Sequence, residues 1–133
     1  MMQNETAPLR AAVAAYIADT YGVEPDYPWP RYPDYAVFRH GNNRKWFALV
    51  MRIPKNKLGL PGDAPVDLVN LKLESRLAVE FLAEEPGFFP GYHISRGSWI
   101  SVLLDGSVPQ ERIFPLIDQS FAVTAVKVKK KEK

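Results

Sequence analysis

Residues Arg44 to Ile53, read RKWFALVMRI, constrain the fold more than any other stretch of this chain. On a strand's two-residue period Phe47, Leu49, Met51 and Ile53 point one way, and Trp46, Ala48, Val50 and Arg52 the other. Both faces are apolar, so a helical layer on one side leaves Trp46 and Val50 needing a cover. The problem recurs in Ser98 to Leu104, where Ile100, Val102 and Leu104 share one face and Trp99, Ser101 and Leu103 the other. Two covers are open to the chain. The segment YPWPRYP, Tyr27 to Pro33, is barred by Pro28, Pro30 and Pro33 from regular helix or central strand and suits an extended crossing. A second copy of the chain would serve equally, because an uncovered patch of this kind is a partner surface. Trp46, Val50 and Trp99 are the candidate residues of that interface.

The flanking elements follow from periodicity and punctuation. Thr6 caps a helix expected over Ala7 to Thr20, burying Leu9, Val13, Tyr16, Ile17 and Thr20, and Gly22 stops it. Gly41-Asn42-Asn43 joins strands Tyr35–His40 and Arg44–Ile53 as a hairpin. Val66, Leu68, Val69, Leu71 and Leu73 predict a third strand. From Glu74 or Ser75 to about Glu84 a second helix buries Leu77, Phe81 and Leu82, and Pro86-Gly87 ends it. Tyr92–Ile94 is expected as a short strand before Trp99–Leu104. Ser107, with Gln110 three residues on, reads as a capping box opening a last helix to about Val123 that buries Ile113, Leu116 or Ile117, and Phe121. Pro115 predicts a kink there. The expected fold is α+β in two layers, order α-β-β-β-α-β-β-α, with an antiparallel sheet and its helices mainly on one face.

A chain of 133 residues with 47% apolar side chains supports one domain, expected over residues 1–126. Cysteine is absent, which excludes disulfides and thiolate chemistry and fits a cytoplasmic protein. Only two histidines are present, so neither a metal nor a cofactor is expected. No segment approaches the roughly 20 apolar residues that cross a bilayer, and no membrane partner is expected. Charge is unevenly spread. Five lysines against Glu132 give +4 over residues 127–133, and the total is +2, so residues 1–126 carry −2. The tail is expected to be a disordered, solvated end, and the folded body lacks the overall basic balance usual in DNA-binding domains.

Phe88 to Gly106 carries a resemblance. Tyr92-His93-Ile94-Ser95-Arg96, then Trp99, then Leu103-Leu104-Asp105-Gly106-Ser107, is similar to the signature of the MmcQ/YjbR family, whose usual form is Tyr-His-Met-Asn-Lys, Trp, Leu-Asp-Gly-Ser. Tyr35–Arg39, Lys45–Leu49 and Val69–Lys72 resemble that family's first hairpin and third strand. Ile94, Ser95, Arg96 and Ser98 depart from the pattern while keeping the strand and the positive charge. The resemblance implies a fold near the CyaY-like and type III secretion chaperone-like architectures. It also implies a double-wing motif gripping double-stranded DNA through two projecting basic loops.

The first wing would be the long connection from Pro54 to Pro65, with Lys55 and Lys57 near its start and Arg52 beside them. The second would be the turn from Gly91 to Gly97, bearing His93 and Arg96. For a grip on DNA both must project to the same side. His93 has a structural reading as well, in which its ring nitrogens bond the backbone and brace the turn. No nucleophile elbow, metal-helix spacing or phosphate-cradling glycine pattern is present, so a non-enzymatic protein is expected. Two functions follow: DNA binding through basic loops, or a protein-interaction or chaperone-like module that uses the apolar second face to meet a second copy of the chain or another protein.

Overall fold

The computed structural model describes residues 7–94 and 97–125. Leu9, Val13 and Ile17 recur at helical spacing and are buried along α1 (Ala7–Tyr21). Gly22, at φ 67°, ends the helix by donating its N–H to the Ala18 carbonyl at 2.9 Å. Thr20 is exposed, and Tyr16 is half-buried because its hydroxyl reaches Asp118. Thr6, Arg96 and the lysine tail lie outside the described residues.

Five strands follow: β1 (Ala36–Arg39), β2 (Trp46–Pro54), β3 (Pro65–Lys72), β4 (Phe88–Pro90) and β5 (Trp99–Leu103). They form one antiparallel sheet in the order β1-β2-β3-β5-β4. The expected α+β class and element order hold. The short strand before β5 is not Tyr92–Ile94, however, but Phe88–Pro90, which pairs Phe88 with Val102 and Pro90 with Ile100. Tyr92, His93 and Ile94 belong to the connection that follows.

All three helices pack on one face. Ser75 caps α2 (Arg76–Leu82), its hydroxyl accepting the Ala78 N–H at 3.0 Å. The predicted stripe on this helix is wrong: Val79 is buried, whereas Leu77 and Phe81 are 60% and 71% exposed. A helix of seven residues makes two turns and buries only the row facing the sheet, here Val79 with Ala78 and Leu82 beside it. α3 (Gln110–Thr124) begins two residues later than the capping box predicts. The Ser107 hydroxyl and N–H both bond the Asp105 carboxylate, so Ser107 closes the Asp105-Gly106 turn instead of capping the helix. Pro115 lies within α3, which continues through it as one helix. Both Pro115 and Glu111, whose carbonyl loses a donor there, are exposed.

The opposite face of the sheet is covered as well. Val37, Leu49, Met51, Ile53, Leu68 and Leu103 form a second buried cluster on it. Trp29 of the proline-rich crossing and Tyr35, just before β1, lie over one part. Two further covers were not expected: Leu58 and Leu60, which the β2–β3 connection folds back after a 3-10 turn at Lys55–Leu58, and Tyr92 and Ile94 of the β4–β5 connection.

The alternation read for β2 breaks at one residue. Val37 pairs with Leu49 and Phe38 with Ala48, but Arg39 pairs with Trp46, leaving Phe47 as a bulge. Phe47 therefore turns into the helix-side core, and Trp46 emerges on the second face. Val50, assigned to an exposed interface with Trp46, instead lies 2% exposed under the helices.

Candidate functional site

The two expected wings do not come together. Pro54 pairs with Pro65 at one end of the β2–β3 ladder, so Lys55 and Lys57 lie beyond that end. Lys72 pairs with Trp99 at the other end, where the β4–β5 connection carries His93. Seven residue steps along β3 separate the ends by roughly 23 Å. Arg52 is displaced from both. Its guanidinium meets Asp67 at 3.0 and 3.3 Å, and Asp67 also receives Arg10 of α1 at 3.1 Å, so Arg52 lies on the helical side with its charge balanced. The hydrogen bonds it donates to the Asp67 carboxylate hold the Arg52 pKa above its ordinary value. Lys55 lines a concavity shared with Glu84, Glu85 and Asp105, an acidic neighbourhood that opposes a phosphate backbone.

At the Lys72–Trp99 end the residues assemble differently. Beyond the Ala48–Leu71 pair the β2–β3 ladder stops. Ser120 of α3 inserts there: its Oγ donates to the Phe47 carbonyl at 2.6 Å and accepts the Lys72 N–H at 2.9 Å. Both backbone groups left open by the bulge are thereby satisfied. The parting of the strands leaves Trp46 and Trp99 on either side of a concavity of about 400 Å³, lined also by Lys45, Lys72, Ile94 and Thr124. Each indole lies under a cation. The Arg39 guanidinium is 5.7 Å from the Trp46 ring and the Lys72 ammonium 5.9 Å from the Trp99 ring.

A second groove, of about 250 Å³, adjoins the first through Trp46 and Ile94. Leu49 and Met51 floor it, Trp29, Tyr32 and Tyr35 line it, and His93 stands at its edge. Trp29 meets Trp46 and Tyr35 edge-on at 5.7 and 6.0 Å, while Tyr32 stacks on Tyr35 at 4.7 Å. Burial, with Tyr92 and Tyr32 nearby, raises the Tyr35 pKa, so its hydroxyl remains a neutral donor.

His93 is exposed and adopts φ 59°, a left-handed conformation uncommon for a residue with a Cβ. Its ring lies tilted by 36° against Tyr92, with ring centroids 4.2 Å apart, and among the described residues its nitrogens have no hydrogen-bond partner. Among the described residues the turn is braced by other groups. Tyr92 donates its N–H to Ser101 Oγ at 2.8 Å, Ser101 donates in turn to Asn70 Oδ1, and both side chains are fully buried. Gly91 is needed beside them, because a Cβ there would stand 2.8 Å from the Trp99 Cβ and 2.7 Å from the Ile94 carbonyl oxygen.

The comparisons with known proteins agree with this architecture. The family model described as YjbR matches residues 18–123. The chain belongs to the YjbR family. A curated relative, the uncharacterized protein YyaQ of Bacillus subtilis (strain 168), is 39% identical over 115 residues, covering 86% of this chain and 97% of YyaQ. A crystal structure of a Pseudomonas syringae protein is 43% identical with a TM-score of 0.83, covering 87% of this chain and 98% of that one. Deinococcus radiodurans protein DR2400, 21% identical with a TM-score of 0.66 over 92% of this chain and 82% of its own, shares the fold.

Within this YjbR chain, sequence reasoning found Trp46, Trp99 and His93 but missed Lys45, Lys72, Asn70, Ser101 and Ser120. Lys72 and Asn70 were within reach, since alternation along β3 puts Leu68, Asn70 and Lys72 on one face. Ser120 carried no signal. No helix of the described residues is long and apolar enough to cross a membrane.

Proposed function

We propose that this protein is a non-enzymatic nucleic-acid-binding module that uses the Trp46–Trp99 end of its sheet rather than two basic loops. One observation carries the reading. Lys45, Lys72 and His93 gather with Trp46 and Trp99 around two adjoining concavities that, among the described residues, are lined by no aspartate or glutamate. Cations interleaved with aromatic faces suit a phosphate backbone with accessible bases. The opposite end of the sheet differs: Lys55 there shares a concavity with Glu84, Asp105 and Glu85, the last paired with Arg112. A slightly acidic body can thus present one cationic end.

The alternative, a partner docking on the apolar second face, loses its main support. Leu49, Met51, Ile53, Leu68 and Leu103 are each at most 4% exposed beneath the chain's own loops.

Fluorescence anisotropy with labelled single-stranded and duplex DNA at low salt tests the proposal. Binding is expected to weaken at least about tenfold in a Lys45→Glu/Lys72→Glu variant, and far less in Lys55→Glu/Lys57→Glu. Undetectable binding at low salt, or equal losses from the two pairs, would rule it out.

A further inference from the structure

We infer that the groove between Trp29, Tyr32 and His93 is a seat for one unstacked base of a single-stranded nucleic acid. The inference rests on the reading just proposed and adds to it the class of strand. Four features of the groove select a flat, partly polar occupant.

First, its volume of about 250 Å³ lies below the range of pockets built for drug-sized ligands and suits a single ring system. Second, its surface is apolar at the floor and aromatic on the walls, with the Tyr32 ring half-exposed and stacked on Tyr35. Such a surface takes a π-face of any base. Third, two lining side chains carry polar groups: Tyr35, whose hydroxyl stays neutral, and the exposed His93, whose ring nitrogens have no partner among the described residues. These can meet the polar edge of a base whose body is buried. Fourth, the groove shares Trp46 and Ile94 with the concavity of Lys45 and Lys72, so a base seated in one carries its phosphate towards the other.

A paired base cannot reach such a seat, because its faces are occupied by its neighbours in the duplex. Single strands are therefore preferred. The left-handed backbone of His93 fits the same role. It is held by Tyr92 N–H on Ser101, with Asn70 buried behind, and keeps the imidazole at the mouth of the groove. Among the described residues neither lining carries a carboxylate, which favours this occupant over an aromatic side chain of a protein with a neutral or basic surface.

All three tryptophans line the two concavities, so intrinsic fluorescence reports on both. The full chain is titrated with a thymidine homopolymer, an abasic strand of equal length and a duplex. The homopolymer is expected to quench tryptophan emission and to bind roughly tenfold or more tighter than the abasic strand or the duplex. Tyr32→Ala, at a position 50% exposed and so compatible with folding, is expected to shrink that difference. Equal affinity for homopolymer and abasic strand would overturn the base seat while leaving phosphate binding intact. No binding of any strand would overturn both readings. Displacement of the homopolymer by an acidic, tryptophan-containing peptide at lower concentration than by free thymidine oligomers would assign the groove to a protein partner and overturn the inference.

Discussion

Ser120 is a small residue with a large geometric consequence. Its hydroxyl fills the gap between β2 and β3 and satisfies the Phe47 carbonyl and the Lys72 N–H together. Ser120→Ala would leave both groups unpartnered in a buried site, at a cost of about 2–4 kcal/mol, and urea unfolding should show it. His40 is a second buried polar group, 4% exposed between Phe47 and Phe121. The Thr124 hydroxyl gives its proton to the Ser120 carbonyl and so accepts from His40 Nε2 at 2.8 Å. Burial lowers the His40 pKa below its ordinary value, and a backbone hydrogen bond with Phe121 opposes the shift. Below about pH 6.5 the unfolded chain then binds a proton that the folded chain refuses. Stability is complete above that pH and falls as pH drops through the folded-state pKa. Melting temperature should decline from about pH 7 to 5, and His40→Phe should flatten the slope.

At the scale of elements, burial and exposure sort by what each segment covers. The proline-rich crossing matters more to stability than its irregularity suggests, since Trp29 shields Leu49 and Met51 together with Trp46. Trp29→Ala is expected to cost about 2–4 kcal/mol in denaturant unfolding and to raise binding of a hydrophobic dye. α2 behaves oppositely. Leu77→Glu and Phe81→Glu, on its exposed row, should each change stability by no more than about 0.5 kcal/mol in the same assay. Helical spacing alone predicts the reverse, because Leu77 and Phe81 stand four residues apart on one face. A short helix packs by the direction in which its flanking strands deliver it, and β3 and β4 present Val79 to the sheet.

For the whole molecule the decisive property is the distribution of charge along the strands. The antiparallel order places every connection at one end or the other. Lys45 and Lys72 fall at the end with the tryptophans, and Glu84, Glu85 and Asp105 at the end with Lys55. If the cationic end holds phosphates, the logarithm of affinity for single strands should fall linearly with the logarithm of salt. Each of Lys45 and Lys72 should contribute about 0.7 to the slope, measured by anisotropy over a salt series. Lys55→Glu and Lys57→Glu should leave that slope unchanged.

Much of this architecture is local and was legible in the residues. Gly22, the Gly41-Asn42-Asn43 turn, the Ser75 cap, the α+β order and the family signature around His93 and Trp99 each depend on neighbours in the chain, so composition and spacing suffice. The same holds for the need to cover a second sheet face, which alternation in β2 and β5 demanded. What covers it, and where the cations meet, depended on contacts between distant segments. The Phe47 bulge moved Trp46 away from Val50, the Leu58–Leu60 loop folded back over the face, and the sheet order set Lys55 and His93 at opposite ends. Periodicity carries no record of such contacts, because a strand's pattern says which residues share a face but not which strand, loop or helix arrives to meet it.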